Sequence, residues 1–320
     1  MSEDNPNDEP NAPDAPATAQ GPRRCGFIAI IGAPNAGKST LVNALVGSKV
    51  TIVSHKVQTT RMPIRGIAIE GASQLVFIDT PGIFRPKRRL DRAMVDAAWG
   101  STGADAVAVL IDTYKGLDED SERILDKLGG VKASRLLVLN KVDRFSWAER
   151  DQLLTLTAKL TERVAFDRVF MISALTGDGV ADLRSYLAGV VPEGPWHYPE
   201  DEISDLPMRI LASEITREKI YKGLHDELPY TTTVETTGWT EQKNGSIKIE
   251  QTIYVVRDGQ KALVLGRGGE TVKKISMAAR EEIGEIVGKP VHLFLFVKVR
   301  EGWEADPERY REMGLDFPKD

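Results

Sequence analysis

The sequence predicts two domains, the first of the α/β class with a mostly parallel sheet covered by helices, and the second of the α+β class. In the first, apolar runs of four to six residues alternate with longer amphipathic stretches, the order of strands and helices in an α/β domain. This alternation stops near Val191, where three prolines fall within residues 191–199. Helix, strand, strand, helix, helix, strand then follow. The predicted strands of the first domain are residues 27–31, 75–78, 106–111, 136–139 and 169–172.

The composition is that of a soluble globular protein, with 41% hydrophobic and 28% charged residues, and it excludes collagen-like, membrane-spanning and wholly disordered chains. The net charge of −5 comes from 42 Lys and Arg against 47 Asp and Glu. Five acidic residues and no Lys or Arg lie in residues 1–20, so the remainder is neutral and the total charge does not indicate nucleic-acid binding. The single Cys25 cannot form an internal disulfide, and with no signal segment the sequence predicts a cytoplasmic protein.

The domain boundaries follow from changes in composition. Residues 1–22 are rich in Pro and Asp and poor in large apolar residues, which predicts a disordered tail. After it we expect a first domain at 23–191, a linker at 192–206, a second domain at 207–304 and a C-terminal tail at 305–320. The predicted elements of the second domain are a helix at 208–222, strands at 232–239 and 246–256, a short helix ending at Gly266, a helix at 270–284 and a strand at 291–299.

A phosphate-binding loop follows the first predicted strand. Residues 32–39 read GAPNAGKS, which matches the P-loop pattern, and a helix is predicted from Lys38. The glycines let backbone N–H groups converge on phosphate oxygens, Lys38 reaches the β- and γ-phosphates, and Ser39 offers a hydroxyl to magnesium. An ordinary turn is the alternative, which the preceding strand and following helix disfavour. The predicted phosphate-contacting residues are Gly32, Ala33, Pro34, Asn35, Ala36, Gly37, Lys38, Ser39 and Thr40.

A second motif, Asp79-Thr80-Pro81-Gly82, follows the predicted strand at 75–78. At the end of a strand, the Asp79 carboxylate can hold a magnesium-bound water and the Gly82 N–H can bind a γ-phosphate. Alone the tetrapeptide would indicate an ordinary turn. Its place after the phosphate loop predicts instead a switch that responds to the γ-phosphate, and all four residues are predicted to contact the nucleotide.

Between these motifs lies Gln58-Thr59-Thr60-Arg61, where a threonine hydroxyl can complete the magnesium shell once the γ-phosphate orders the loop. The sequence favours Thr60 over Thr59 and leaves both open. The predicted magnesium ligands are Ser39, Thr60 and, through water, Asp79, and the predicted catalytic residues are Lys38, Thr60 and Gly82.

The base is predicted from Asn140-Lys141-Val142-Asp143, which follows the strand at 136–139. The Asp143 carboxylate can accept the adjacent N1–H and N2–H donors of guanine. Adenine lacks this pair of donors and would leave a buried carboxylate unsatisfied. Lys141 is expected to lie along the plane of the base. This segment therefore predicts a guanine nucleotide.

Ser173-Ala174-Leu175 follows the last predicted strand of the domain, where the Ala174 N–H can bind guanine O6 and the segment can brace Asp143. In their order over residues 26–190, these motifs resemble those of the translation-factor-related GTPases. The resemblance implies a P-loop GTPase domain that binds GTP and GDP with Mg²⁺ and hydrolyses GTP to GDP and phosphate.

Two further positions bear on hydrolysis. Ile83 stands where a Ras-type GTPase carries a catalytic glutamine, and because an apolar side chain cannot orient or deprotonate water, slow intrinsic hydrolysis is expected. In related GTPases with Pro-Asn in the phosphate loop and Thr-Thr-Arg in the first switch, the asparagine helps to hold potassium. The resemblance therefore implies K⁺ at Asn35.

The second domain carries Gly266-Arg267-Gly268-Gly269 between two predicted helices, where glycines allow close approach of a sugar-phosphate backbone. The motif and the order of elements resemble the GXXG loop of a type II KH domain, which binds single-stranded RNA; a plain glycine turn is the alternative. Residues 257–280 hold six cations and two acids, which predicts a phosphate-facing patch, with a solvated helix face as the alternative. The predicted RNA-binding residues are Arg257, Lys261, Gly266, Arg267, Gly268, Gly269, Lys273, Lys274 and Arg280.

Together the two domains resemble the Era-like GTPases over residues 24–304. The chain departs from that family in its acidic, Pro-rich tail and in Phe84-Arg85. The resemblance implies a factor that binds the 3′ end of 16S rRNA, acts in 30S ribosomal subunit assembly and maturation with coupling to the cell cycle, and associates peripherally with the inner membrane. DNA is not an expected partner. The sequence leaves two alternatives open: an RNA-binding assembly module stabilised by GTP with little turnover, and a membrane-associated signalling GTPase.

Overall fold

The computed structural model describes residues 21–224, 228–303 and 306–318, which form one sheet of six strands and one of three. Of the disordered tail predicted at 1–22, residues 1–20 lie outside the described residues. The first domain contains β1 (Arg24–Gly32), α1 (Lys38–Val46), β2 (Ile64–Glu70), β3 (Ser73–Asp79), α2 (Arg89–Gly100), β4 (Ala106–Asp112), α3 (Glu119–Leu128), β5 (Ser134–Asn140), α4 (Arg150–Arg163), β6 (Arg168–Ile172) and α5 (Val180–Val190).

The larger sheet is mostly parallel and carries helices on both faces, as the sequence predicts. Its strand order is β2-β3-β1-β4-β5-β6, and all neighbouring strands are parallel except β2 and β3. Helices α1 and α5 pack on one face, and α2, α3 and α4 pack on the other. The carboxyl ends of the parallel strands meet at one edge, so Gly32, Asp79, Asp112 and Asn140 lie near one another.

Strand β2 is not among the strands that the sequence predicts. It pairs antiparallel with β3 through a two-residue turn at Gly71, whose φ is 58°. Its sequence, IRGIAIE, includes charged residues and a glycine, so no continuous apolar run marks it. Gly66 is required there, because a Cβ at this position would lie 2.7 Å from a Val46 methyl group of α1.

The second domain contains the six predicted elements in the predicted order. They are α6 (Met208–Gly223), β7 (Thr233–Glu241), β8 (Ile247–Val255), α7 (Asp258–Leu265), α8 (Glu270–Val287) and β9 (Val291–Val299). The central strand β8 is antiparallel to β7 and parallel to β9. The parallel pair arises because α7 and α8 form the crossover between β8 and β9. Helices α6 and α8 cover one face of this sheet, where Ile215 of α6 and Ile283 of α8 share an apolar cluster with Ile249 of β8.

Residues 306–318 fold back onto the first domain. They include α9 (Pro307–Glu312), and Tyr310 and Leu315 pack with Trp303 against Leu90 and Met94 of α2. The segment thereby joins the second domain to the helix that follows the second nucleotide motif. From the sequence we expect only a tail here, since six helical residues without a visible packing partner are too few to indicate a stable helix.

A cluster of charged groups lies between the two domains. Glu218 of α6 is buried and accepts hydrogen bonds from Lys49 Nζ and from the Val53 N–H, both at 2.9 Å. Glu282 of α8 pairs with Lys49 and Lys219. Burial acts to raise the pKa of Glu218, but Lys49 and the Val53 N–H outweigh it and bring this pKa to about 2. The pKa of Glu282 is also lowered, because the two ammonium groups outweigh its burial.

This cluster predicts a loss of stability in acid. A carboxylate whose pKa is lowered by folding contributes stability above its unfolded pKa, 4.5 for Glu218, and loses it as the pH falls toward the folded value of about 2. The difference corresponds to roughly 3 kcal/mol. We expect the free energy of unfolding to fall over this pH range, and Glu218→Gln to flatten that fall. Glu281→Gln, at an exposed α8 position, is the control; an unchanged pH dependence in Glu218→Gln would contradict the prediction.

Candidate functional site

The phosphate loop joins β1 to α1 and encloses a buried ammonium group. Lys38 donates hydrogen bonds from Nζ to the carbonyl oxygens of Gly32 at 3.2 Å and Ala33 at 3.0 Å. Burial lowers the pKa of Lys38 to about 8, against the raising effect of Asp79. Phosphate oxygens beside this group would favour its charged form. The loop can therefore bind an anion through both its backbone and this side chain.

Asn140, the last residue of β5, ties the phosphate loop to the loop after β6. Its Nδ2 donates to the Ala36 carbonyl oxygen at 2.8 Å, and its Oδ1 accepts the Ala174 N–H at 2.9 Å. Gly37 has φ of 101° and passes so close that a Cβ there would lie 2.3 Å from Asn140 Nδ2. The Ala174 N–H, which the sequence assigns to guanine O6, thus has Asn140 as its hydrogen-bond partner.

Three hydroxyl groups converge on Asp79, the last residue of β3. Asp79 Oδ2 accepts hydrogen bonds from Ser39 Oγ at 2.7 Å, Thr51 Oγ1 at 2.8 Å and Thr60 Oγ1 at 3.2 Å. Thr60 Oγ1 also lies 2.9 Å from Ser39 Oγ. The Thr59 hydroxyl donates instead to a backbone carbonyl oxygen three residues earlier. The geometry therefore brings Thr60, and not Thr59, to Ser39 and Asp79.

This group of oxygens fits a hard divalent cation. Hydroxyl and carboxylate oxygens are the ligands that Mg²⁺ prefers, and Oδ1 of the buried Asp79 has no hydrogen-bond partner within the part of the chain that the structure describes. Burial raises the pKa of Asp79, while the Ser39 hydroxyl and Lys38 oppose this rise. A cation would favour the charged carboxylate. Sequence reasoning missed Thr51, because it belongs to none of the motifs.

The residues predicted to bind the guanine base, Lys141 and Asp143, directly follow β5, next to the carboxyl end of β4. Lys141 has a left-handed backbone with φ of 71°, and its Nζ donates to the Asn35 carbonyl oxygen at 2.8 Å and to Asp112 Oδ2 at 2.5 Å. Asp143 is exposed at the same rim. Sequence reasoning missed Asp112, although a carboxylate at the end of a parallel strand is the signal that indicates Asp79.

The loop after β6 contains a turn that is closed by the Ser173 hydroxyl. Ser173 is buried, and its Oγ accepts the Thr176 N–H at 3.1 Å. Among the hydrogen bonds of the described residues, none joins Ser173 to Asp143. The Ser173 hydroxyl therefore closes its own turn, and a brace of Asp143 by this segment stays a prediction.

The nucleotide motifs surround a cavity of about 540 Å³. Gly82 lines it at a point where a Cβ would lie 3.0 Å from Pro34. Thr80 is fully buried and donates its hydroxyl to the Ile30 carbonyl oxygen, and Ile83 packs in the apolar core. The residues of the predicted nucleotide and magnesium sites that line the cavity are Pro34, Asn35, Gly37, Lys38, Ser39, Thr40, Thr60, Gly82, Asn140, Lys141, Asp143, Ala174 and Leu175, whereas Gly32, Ala33, Ala36, Asp79, Thr80, Pro81 and Ser173 do not line it.

The glycine loop of the second domain joins α7 to α8. Gly266 is required by packing, because its φ is 73° and a Cβ would lie 2.1 Å from Thr271 Oγ1. Gly268 and Gly269 have φ of 61° and 82°, but a Cβ on either would meet no atom within 4 Å. The outer side of the loop is therefore open, and it leads into the positive end of the α8 dipole.

The predicted cations of this domain are spread along both helices. Arg257 precedes α7, at the end away from the loop, and Arg280 lies about 15 Å along α8 from its start at a rise of ~1.5 Å per residue. Lys274 pairs with Glu270 at 3.3 Å. The six cations therefore do not all lie at the loop, and the phosphate-facing patch over residues 257–280 stays a prediction. The cations nearest the loop in sequence are Lys261, Arg267, Lys273 and Lys274.

The chain matches the family models for a 50S ribosome-binding GTPase over residues 27–141 and for a KH domain over residues 227–304. It is 65% identical to GTPase Era of Bradyrhizobium sp. (strain ORS 278) over 302 residues, which cover 94% of this chain and 97% of that protein. The chain belongs to the GTPase Era family. It is therefore a GTPase in which a P-loop GTPase domain precedes a KH domain. GTPase Era of Rhizobium meliloti (strain 1021) is 64% identical over 299 residues, which cover 93% of this chain and 95% of that protein.

Solved structures of Era have the same fold. A crystal structure of Era in complex with MgGDPNP and nucleotides 1506–1542 of 16S ribosomal RNA matches with a TM-score of 0.86 and 35% identity, covering 91% of this chain and 99% of that one. A structure of an Aquifex aeolicus Era variant bound to GDP and AlF4⁻ matches with the same values. Within the described residues of this Era-family chain, no helix is both long enough and apolar enough to cross a membrane.

Proposed function

We propose that this GTPase binds the 3′ end of 16S rRNA in its GTP-bound state and acts in assembly and maturation of the 30S ribosomal subunit. The observation that carries the proposal is that one chain contains both a cavity lined by the guanine-nucleotide motifs and a GXXG loop whose outer side is open. Support comes from the Era structure of the same fold that holds both MgGDPNP and a 16S rRNA fragment. We place this activity in the cytoplasm; coupling to the cell cycle and peripheral contact with the inner membrane are further expectations from the family resemblance.

In this proposal, the backbone of the phosphate loop and Lys38 bind the nucleotide phosphates. Ser39 and Thr60 hold Mg²⁺ directly and Asp79 holds it through water, which matches the convergence of their oxygens. The Gly82 N–H binds the γ-phosphate. Mg²⁺ neutralises charge that develops on the phosphates during hydrolysis.

The base is bound at the other end of the cavity. Asp143 accepts the N1–H and N2–H donors of guanine, and Lys141 lies along the ring. Asp112 accepts a hydrogen bond from the Lys141 ammonium group at 2.5 Å, and this contact orients the long side chain. Asn140 supports this end by connecting the phosphate loop to Ala174.

Hydrolysis is proposed to be slow without an activator. Ile83 is buried in the core, so this position supplies no group that orients the attacking water. Asn35, which lines the cavity with its carbonyl oxygen bonded to Lys141, is the proposed K⁺ ligand. A slow reaction suits a timer, because the GTP-bound state then lasts until another event accelerates hydrolysis.

RNA is proposed to pass over Gly268 and Gly269, where the backbone is open, with Arg267 and Lys273 beside its phosphates. The switch segment, residues 58–61, links the nucleotide site to the KH domain. Tyr221 of the KH domain donates its hydroxyl hydrogen to the Gln58 carbonyl oxygen at 3.3 Å. GTP then favours the arrangement that accepts RNA, and hydrolysis releases the factor.

The test is GTP hydrolysis with Mg²⁺, in K⁺ and in Na⁺ buffers, with and without an RNA from the 3′ end of 16S rRNA. We expect the RNA to stimulate hydrolysis in the wild type and Gly268→Asp to need roughly 10- to 100-fold more RNA for the same stimulation, at an unchanged basal rate. For binding, coupling is reciprocal, so RNA and a non-hydrolysable GTP analogue must tighten each other by the same factor. If RNA binds the wild type but changes neither rate nor nucleotide affinity, the RNA-binding module with little turnover becomes the better description.

A further inference from the structure

Arg61, the residue after Thr60, has no part in the mechanism above. Only 4% of its surface is exposed, and its side chain extends from the GTPase domain into the KH domain. Nη1 donates to the Thr232 carbonyl oxygen at 2.9 Å, and Nη2 donates to those of Pro229 at 3.3 Å and Tyr230 at 3.1 Å. Three backbone carbonyl oxygens of one turn before β7 thus surround the guanidinium.

The KH domain holds the residues on the other side of Thr60 as well. Tyr221 and Arg217, both on α6, donate to the carbonyl oxygens of Gln58 at 3.3 Å and Thr59 at 2.5 Å. The chain is therefore bonded to the KH domain before Thr60 through two backbone carbonyl oxygens and after it through the Arg61 side chain. These contacts leave little freedom for the position of the threonine hydroxyl.

We infer that Arg61 is a positioning residue for GTP hydrolysis and acts through Thr60. The Thr60 hydroxyl lies beside Ser39 and Asp79, and Arg61 is joined to Thr60 by one peptide bond, so holding the guanidinium restricts the positions that the hydroxyl can take. The inference rests on the proposed role of Thr60 as a Mg²⁺ ligand. It makes the KH domain a structural part of the hydrolytic site in addition to its RNA-binding role.

The chemistry of this position requires arginine. A guanidinium is planar and presents five donors in a fixed geometry, so it can serve several carbonyl oxygens at once. The Trp303 ring centre lies 5.6 Å from Arg61 Cζ, within the range of a cation–π contact. Lysine could keep the charge but would bond fewer of these oxygens. We therefore expect the GTP hydrolysis rate of Arg61→Lys to lie between the rates of the wild type and Arg61→Ala.

The experiment measures single-turnover GTP hydrolysis as a function of Mg²⁺ concentration, together with GDP affinity. In Arg61→Ala we expect the maximal rate to fall roughly 10- to 100-fold, since a misplacement of ~1 Å can cost about 100-fold. The Mg²⁺ concentration for half-maximal rate should rise roughly tenfold. GDP affinity should stay near the wild-type value, because GDP lacks the γ-phosphate that GTPase switch loops contact.

Arg65→Gln is the matched control. Arg65 lies four residues further on and pairs with Asp205 at 2.7 Å, but it makes no contact with the carbonyl oxygens around Arg61 in the hydrogen bonds of the described residues. We expect its rate and Mg²⁺ dependence to match the wild type. Thermal unfolding of each variant separates a change in the site from a loss of folded protein.

A double-mutant cycle with Thr60→Ala decides whether Arg61 acts through Thr60. If it does, Arg61→Ala adds nothing to the rate loss of Thr60→Ala. If Arg61→Ala lowers the hydrolysis rate by the same factor in the wild type and in Thr60→Ala, the inference is overturned. It is also overturned if Arg61→Ala and Arg61→Lys lower the melting temperature but leave the Mg²⁺ dependence of the rate unchanged. If Thr60→Ala itself leaves rate and Mg²⁺ dependence unchanged, the proposed Mg²⁺ ligand is wrong and the inference falls with it.

Discussion

Asp143→Asn is expected to change the preferred nucleotide from GTP to XTP. The Asp143 carboxylate can accept both the N1–H and the N2–H donors of guanine, whereas an asparagine amide offers one acceptor and one donor. Xanthine has N1–H beside a carbonyl oxygen, and this pair matches the amide. We expect GTP affinity to fall about 10- to 150-fold, since the lost hydrogen bond to the charged carboxylate contributes about 1.5–3 kcal/mol.

The measurement is a competition of GTP, XTP and ATP for the wild type and the variant at fixed Mg²⁺. The position suits the test because Asp143 is exposed at the cavity rim, so the substitution leaves the core intact. Asp182→Asn, at an exposed position in the first turn of α5, is the control and should keep the wild-type order. Equal losses for GTP and XTP would show that Asp143 supports the loop without contacting the base.

Gly268→Asp is expected to weaken RNA binding roughly 10- to 100-fold, because a like charge ~4 Å from a phosphate near a protein surface costs about 1–4 kcal/mol. A Cβ at this position meets no atom within 4 Å, so the new carboxylate projects into the space proposed for the RNA backbone. The loss should be larger at low salt, since screening weakens this repulsion. The measurement is titration of a labelled 16S rRNA 3′-end RNA at two salt concentrations.

Two controls separate charge from backbone strain. Gly268→Asn introduces a side chain of the same shape without the charge, and its loss should be much smaller than that of Gly268→Asp. Gly245 also has a positive φ, of 82°, with no atom within 4 Å of a Cβ, but it lies in the turn between β7 and β8. Gly245→Asp should therefore bind RNA as the wild type does. A similar loss in all three variants would mean that the RNA does not pass over Gly268.

The sequence is informative where a function depends on contiguous residues. The phosphate loop needs glycines and a lysine at fixed spacing, and the structure places Gly37 at φ of 101° against Asn140, where another residue would collide. The element order of the KH domain was predictable for the same reason, because helices and strands leave local periodic patterns. Strand β2 and the fold of residues 306–318 were missed, since a mixed edge strand and a six-residue helix leave little local pattern.

The features of the nucleotide site that could not be predicted from the sequence are contacts between residues far apart in the chain. Asp112 and Lys141 are 29 residues apart, and they meet because β4 and β5 are neighbours in the sheet. Thr51 reaches Asp79 from a segment with no recognisable motif. The Ala174 N–H bonds to Asn140, a partner that depends on the positions of two loops.

The sequence by itself determined the α/β class of the first domain, the guanine-nucleotide motifs and the order of elements in the second domain, because each is encoded by short-range spacing. Only the tertiary structure decided which threonine lies beside Ser39 and Asp79, and which groups hold it there. Arg61 bonds to Thr232, 171 residues further along the chain. No local pattern encodes such a pairing, since it exists only once the two domains have packed against each other.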